Sequence, residues 1–191
     1  MMSRPLKVTA VSGSYKLPSR TAALVEAITQ TLGQQLPIDL HVIELSEIGG
    51  SLVASYDPKA LPVKVQKDIQ AIETADLLVV ATPVYRASYT GLFKHLFDLV
   101  DYEALVDVPV LLAATGGSER HALIIDHELR PLFSFFQALT LPIGVYATEA
   151  DFENYQVKSE AVTARIALAV ERALPLLKHR ELINKDRLLA V

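Results

Sequence analysis

The run Asp76 to Thr82, DLLVVAT, constrains this chain more than any other segment. It has strand length, contains β-branched residues and does not alternate polar with apolar positions. A strand of that kind has both faces covered, which is the situation in a parallel sheet packed between helices. Leu6 to Val11 and Val108 to Thr115 have the same character. They run into Ser12-Gly13-Ser14 and Gly116-Gly117, which read as turns. Ile38 to Leu45 alternates through Ile38, Leu40 and Val42 and predicts a partly exposed strand. A short strand is expected at about Ile143 to Thr148.

Helical spacing fills the intervals. Ala23, Leu24, Ala27, Ile28, Thr31 and Leu32 mark a helix that starts at Ser19 and ends near Gly33. Further helices are expected at about Val63 to Thr74, Thr90 to Val100, Glu119 to Leu139 and Ser159 to Leu177. Gly49 to Pro62, with Asp57-Pro58 and Leu61-Pro62 as breakers, reads as irregular. Strands alternating with helices imply an α/β fold. The expectation is a doubly wound, five-stranded parallel sheet in order 2-1-3-4-5, a three-layer α/β/α arrangement with right-handed crossovers. Residues 1–178 read as one domain, and 179–191 form a tail that the pattern leaves undecided.

Composition narrows the function. The 191 residues carry a formal net charge of −4, so no broad basic field draws in nucleic acid. There is no cysteine, which removes disulfides, iron–sulfur clusters and cysteine nucleophiles. No apolar run approaches the roughly 20 residues of a membrane helix. Met1-Met2-Ser3-Arg4-Pro5 leads straight into the first strand without an apolar leader, and a cytoplasmic protein is expected. The five histidines have no ligand spacing, so no metal is expected. No Ser-His-Asp arrangement stands out, and no catalytic acid or base is assigned.

In an open sheet of this order, ligands bind beyond the carboxyl ends of the strands, near the switch between the first and third. Three loops meet there. The first, Gly13-Ser14-Tyr15-Lys16-Leu17-Pro18-Ser19-Arg20-Thr21, combines a tight turn, the hydroxyls of Ser14, Ser19 and Thr21, the Arg20 charge and the start of a helix. Those parts suit a phosphate. The loop lacks the Gly-Lys-Ser/Thr ending of a Walker loop and is not Gly-x-Gly-x-x-Gly. Its spacing suits a monophosphate and points to FMN. The second, Pro83-Val84-Tyr85-Arg86-Ala87-Ser88-Tyr89, leaves a buried strand and offers Tyr85 and backbone N–H groups to a flavin ring. The third, Thr115-Gly116-Gly117-Ser118, brings bare backbone close to a ligand.

The sequence resembles the NAD(P)H-dependent FMN reductases of the flavodoxin-like superfamily. The match is nearest to the reductase component of two-component alkanesulfonate or methanesulfonate monooxygenase systems. Gly13-Ser14 with Pro18-Ser19-Arg20-Thr21, Ala81-Thr82-Pro83-Val84-Tyr85, and Ala114-Thr115-Gly116-Gly117-Ser118 with His121 carry the resemblance, which spans about Leu6 to Val145. It implies that Ser14, Ser19, Arg20 and Thr21 hold the FMN phosphate. Pro83, Val84, Tyr85 and Arg86 would line the isoalloxazine, with Thr115, Gly116, Gly117 and Ser118 at its other edge. It further implies hydride transfer from NADPH or NADH to FMN, delivery of reduced FMN to a partner monooxygenase, and a homodimer or homotetramer. The alternatives are an FMN-bound quinone, azo or chromate reductase, a flavodoxin-type electron carrier, and a flavin-binding regulatory or storage protein.

Ile125-Asp126-His127-Glu128-Leu129-Arg130-Pro131 adds one local expectation. Pro131 has no N–H for the His127 carbonyl, and its ring would clash there, so a bulge or kink is expected near His127. Some relatives carry an inserted tyrosine in a π-helix at a tetramer interface; this chain has His127, which is expected to influence assembly and flavin exchange.

Overall fold

The computed structural model describes the backbone of residues 4–189 and the side chains of residues 4–178. β1 (Leu6–Ser12), β3 (Leu77–Pro83) and β4 (Pro109–Gly116) form the middle of a parallel sheet, and β2 (Ile38–Glu44) lies on its edge. The fifth position is filled by two short strands that both pair with β4: β5 (Leu139–Thr140) and β6 (Val145–Thr148). The order is β2-β1-β3-β4-β5, as the alternation predicts. β3 is buried at every residue, whereas β2 leaves Leu40 and Val42 exposed at 40% and 46%, as expected of an edge strand.

α1 (Arg20–Gly33) and α6 (Glu160–Leu189) cover one face. The other face carries α2 (Leu45–Leu52), α3 (Val63–Glu73), α4 (Gly91–Asp98), a π-helical turn (Ile125–Leu129) and α5 (Arg130–Phe135). Each face has its own apolar core. Leu24, Ile28 and Ile166 pack on the α1–α6 side, and Phe93, Phe97 and Phe133 on the other. The three phenylalanines meet in tilted and edge-to-face pairs, with ring centroids 4.9 Å apart between Phe97 and each of its two partners. No described helix is long and apolar enough to cross a membrane.

Several boundaries differ from the sequence reading. Leu45–Leu52 is helical, although Ile38 to Leu45 reads as strand and the stretch from Gly49 to Pro62 as irregular. Gly49 is accommodated by tertiary contact, since a Cβ there would lie 2.6 Å from Leu92 Cδ2. The long helix expected over Glu119 to Leu139 is a 3₁₀ turn (Glu119–His121), the π turn and α5, and the chain is extended again by Leu139. The strand expected from Ile143 starts at Val145, after Pro142 and a buried Gly144. α6 runs through Pro175 and on to Leu189, beyond the expected end at Leu177, and Val162, Ile166, Ala169, Val170, Ala173 and Leu177 form its buried stripe on the sheet. Part of the undecided tail is therefore helix, and residues 190–191 lie outside the described residues.

Candidate active site

β1, β3 and β4 end at one edge of the sheet, and the loops that follow them enclose a cavity of about 260 Å³. From the first loop Ser14, Ser19, Arg20 and Thr21 line it. From the second come Pro83, Val84 and Tyr85, and from the third Thr115, Gly116 and Gly117. Arg86 and Ser118, also expected there, do not line it. Arg86 sits at a turn tip, and the Ser118 carbonyl accepts the Tyr146 hydroxyl at 2.7 Å.

The α1 N-terminus forms one wall. Ser19 is its N-cap in extended conformation, and its Oγ accepts the Ala22 N–H at 3.1 Å. That leaves the Ser19 hydroxyl proton available to a ligand. The N–H groups of Arg20 and Thr21 belong to the first turn, where no intrahelical acceptor exists. The Thr21 side chain is spent inside the protein. It shares a 2.7 Å hydrogen bond with the Thr115 hydroxyl and is buried. Thr21 therefore offers backbone, not hydroxyl, and its side chain ties α1 to β4. The buried Ser14 hydroxyl closes a turn by donating to the Lys16 carbonyl at 3.1 Å and accepting the Lys16 N–H at 3.3 Å.

The second loop is a tight hairpin. Tyr85 and Ser88 exchange N–H···O bonds of 2.9 and 3.2 Å, and Arg86 and Ala87 between them have φ of 52° and 69°. This is the geometry of a two-residue turn, adopted here without glycine. The Val84 N–H donates to the Thr115 carbonyl at 2.8 Å. The Val84 and Tyr85 donors are thus engaged internally, and the turn-tip N–H groups of Arg86 and Ala87 remain as candidates for a ligand. Tyr85 stacks edge-to-face on Tyr15, with centroids 5.4 Å apart. Burial, with Tyr15 adding to it, raises the Tyr85 pKa, so its hydroxyl is neutral at pH 7.

Gly116 and Gly117 serve different ends. A Cβ on Gly116 would collide with the Tyr146 hydroxyl, whereas a Cβ on Gly117 would meet nothing within 4 Å. The first glycine makes room for Tyr146, and the second opens onto free space.

The sequence reading missed Glu149 and Tyr155, and it gave no role to Lys16, although Lys16 stood in the quoted loop. Glu149 follows β6, and its carboxylate pairs with the Arg20 guanidinium at the cavity mouth. The Tyr155 ring lies 5.6 Å from the same guanidinium. Lys16 adds a second cation to the lining. Nothing local marks Glu149 or Tyr155; the pairing of β6 on β4 brings Glu149 there, and the hairpin over residues 152–157 that follows brings Tyr155.

A small cavity with a capped helix start, two cations, free backbone donors and a tyrosine-bearing hairpin fits a phosphorylated flavin. The cations and first-turn N–H groups suit its phosphate, and Tyr85 with the open backbone at Gly117 suits a planar ring.

Comparison with known proteins agrees with the geometry. The family model described as NADPH-dependent FMN reductase matches residues 6–153. The NADH-dependent FMN reductase SfnF of Pseudomonas fluorescens is 63% identical over 92% of this chain and 94% of its own length. An FMN reductase (NADPH) of Pseudomonas aeruginosa is 60% identical over 96% of this chain and 99% of its own. Among solved structures, an NADH:FMN oxidoreductase in its apo form superposes with a TM-score of 0.78 at 28% identity, covering 93% of this chain and 89% of that one.

Proposed function

The chain belongs to the family of NADPH-dependent FMN reductases, and from that membership we propose that it transfers hydride from NADPH or NADH to FMN and passes the reduced flavin to a separate sulfonate monooxygenase. The observation that carries the reading is the convergence of three strand-end loops on one cavity, with the start of α1 and Arg20 in its wall.

When bound, FMN supplies the redox chemistry by accepting hydride from the nicotinamide. The chain's own residues position and shield it. Arg20, Lys16, the Ser19 hydroxyl and the first N–H groups of α1 are assigned to the phosphate. Pro83, Val84 and Tyr85 are assigned to one side of the ring, with the Arg86–Ala87 turn N–H groups toward its polar edge. Thr115, Gly116 and Gly117 are assigned to the opposite edge. Backbone dipoles fixed in this way would stabilise negative charge on a bound ring without reorganising. The reaction needs no side-chain nucleophile.

We assign the working form to a homo-oligomer. Exposed Phe135 and Tyr102 border a second cavity of about 870 Å³ between α3, α4 and α5, a face suited to self-association. His127 lies exposed in the π turn that leads into α5. If His127→Ala leaves both oligomer mass and FMN affinity unchanged, its role in assembly and exchange is excluded.

The test is NADPH and NADH oxidation by the purified chain during titration with free FMN. Saturable turnover that requires added FMN, with reduced FMN accumulating anaerobically, is the expected result. Quinone-dependent turnover without added flavin overturns the flavin-supplying role, and no oxidation of either nucleotide overturns the reductase reading.

A further inference from the structure

We propose that Glu149 is a competitor for the FMN phosphate, built into the site, that sets how readily FMN leaves. The inference rests on the reading of the cavity as an FMN site and goes beyond it by naming the residue that governs release.

Glu149 is placed firmly. β6 pairs with β4 so that Thr148 lies opposite Gly116, one residue before Glu149. The Thr148 N–H and hydroxyl donate to Asp151 Oδ2 at 2.7 and 2.8 Å, closing a capping box around the turn that holds Glu149. Behind it, the hairpin of β7 (Phe152–Glu153) and β8 (Gln156–Val157) turns at Asn154 and Tyr155, with φ of 50° and 58°. Arg20 is therefore engaged from two directions, by the Glu149 carboxylate and by the Tyr155 ring.

The carboxylate stands where a phosphate would look for its partner. FMN brings a group close to a dianion at neutral pH. To reach the Arg20 guanidinium it must displace Glu149 or lie beside it, and both arrangements cost affinity through competition or like-charge repulsion. The pair is also easily exchanged. The Arg20 and Glu149 side chains are 39% and 62% exposed, so solvent screens the attraction and the pair adds little to folding. A carboxylate that can retake the guanidinium as the phosphate departs favours release, which a reductase that hands on its flavin requires. Riboflavin has no phosphate and lies outside this competition.

The experiment compares the full chain with Glu149→Gln and Glu149→Asp, measuring Kd for FMN and for riboflavin by flavin fluorescence at low and high salt. Glu149→Gln is expected to bind FMN roughly two- to fivefold more tightly, the size of losing one exposed, partly screened charge contact. The gain should shrink at high salt, riboflavin should be unaffected, and Glu149→Asp should stay near the parent. Unchanged or weaker FMN binding by Glu149→Gln, with the parent chain binding FMN, overturns the inference and leaves the site reading intact. Equal tightening of riboflavin also overturns it, since the effect would then be one of shape. A parent chain that binds no FMN overturns the site reading and this inference with it.

Discussion

Gly116 illustrates how a residue can be read correctly as special and be special for another reason. In sequence, Gly116-Gly117 suggests backbone stripped for a ligand. In the fold, Gly116 leaves space for the Tyr146 hydroxyl, which donates to the Ser118 carbonyl and so shapes the third loop. Gly116→Ala should cost about 1–3 kcal/mol through overpacking. The same change in a Tyr146→Phe background should cost less, because the clashing atom is gone; urea unfolding of the single and double variants measures the coupling. Ser12 offers the opposite case. Its hydroxyl is buried at the end of β1 and has no hydrogen-bond partner among the described residues. Ser12→Ala should raise unfolding stability by about 1 kcal/mol, since it removes a desolvated group that makes no bond. An unchanged or lowered urea midpoint would count against that account.

At the scale of elements, the π turn was the most legible local feature. Pro131 forbids the ordinary helical bond to His127, and the structure places a π turn at Ile125–Leu129. Its consequence was not legible. The turn sets Glu128 against the second loop, where its carboxylate accepts the Ser88 hydroxyl at 2.8 Å. Glu128→Ala should loosen the Tyr85–Ser88 hairpin and weaken FMN binding about fivefold, the loss of one charge-assisted bond at a partly solvated site. Glu128→Gln, which keeps an acceptor, should restore most of it. Titration with FMN distinguishes the variants.

The turn that holds Glu149 is an element with a pH signature. Burial pushes the Asp151 carboxyl up, but the Thr148 N–H, the Thr148 hydroxyl and the Ser159 hydroxyl outweigh it and hold the pKa below the usual value. A carboxylate with a depressed folded pKa stabilises the fold above its unfolded pKa, and the contribution fades as pH falls through the folded one. Asp151→Asn should therefore unfold at lower urea than the parent at pH 7, and the gap should narrow below about pH 4. A gap that stays constant across that window would show that the Asp151 charge does not matter.

For the molecule as a whole, the sheet and its helices divide into two cores, and among the described side chains Leu177, at 1% exposure, is the last to enter the α1–α6 core. A chain ending at Lys178 should fold and bind FMN with unchanged affinity. Loss of cooperative unfolding would place part of the folding unit in residues 179–191.

The sequence by itself determined the parallel sheet, its order, the position of the three loops and the break at His127. Each of these is written in short-range terms: an apolar run covered on both faces, a glycine turn, an N-cap serine, a proline without its N–H. Only the tertiary structure decided how the site's polar groups are spent. Thr21 turns inward to a residue 94 positions away, and Arg20 pairs with one 129 positions away. The physical reason is that a charge or hydroxyl takes its partner from whatever the strand register brings near. That register is fixed by cooperative packing of both cores, not by the residues beside it in the chain.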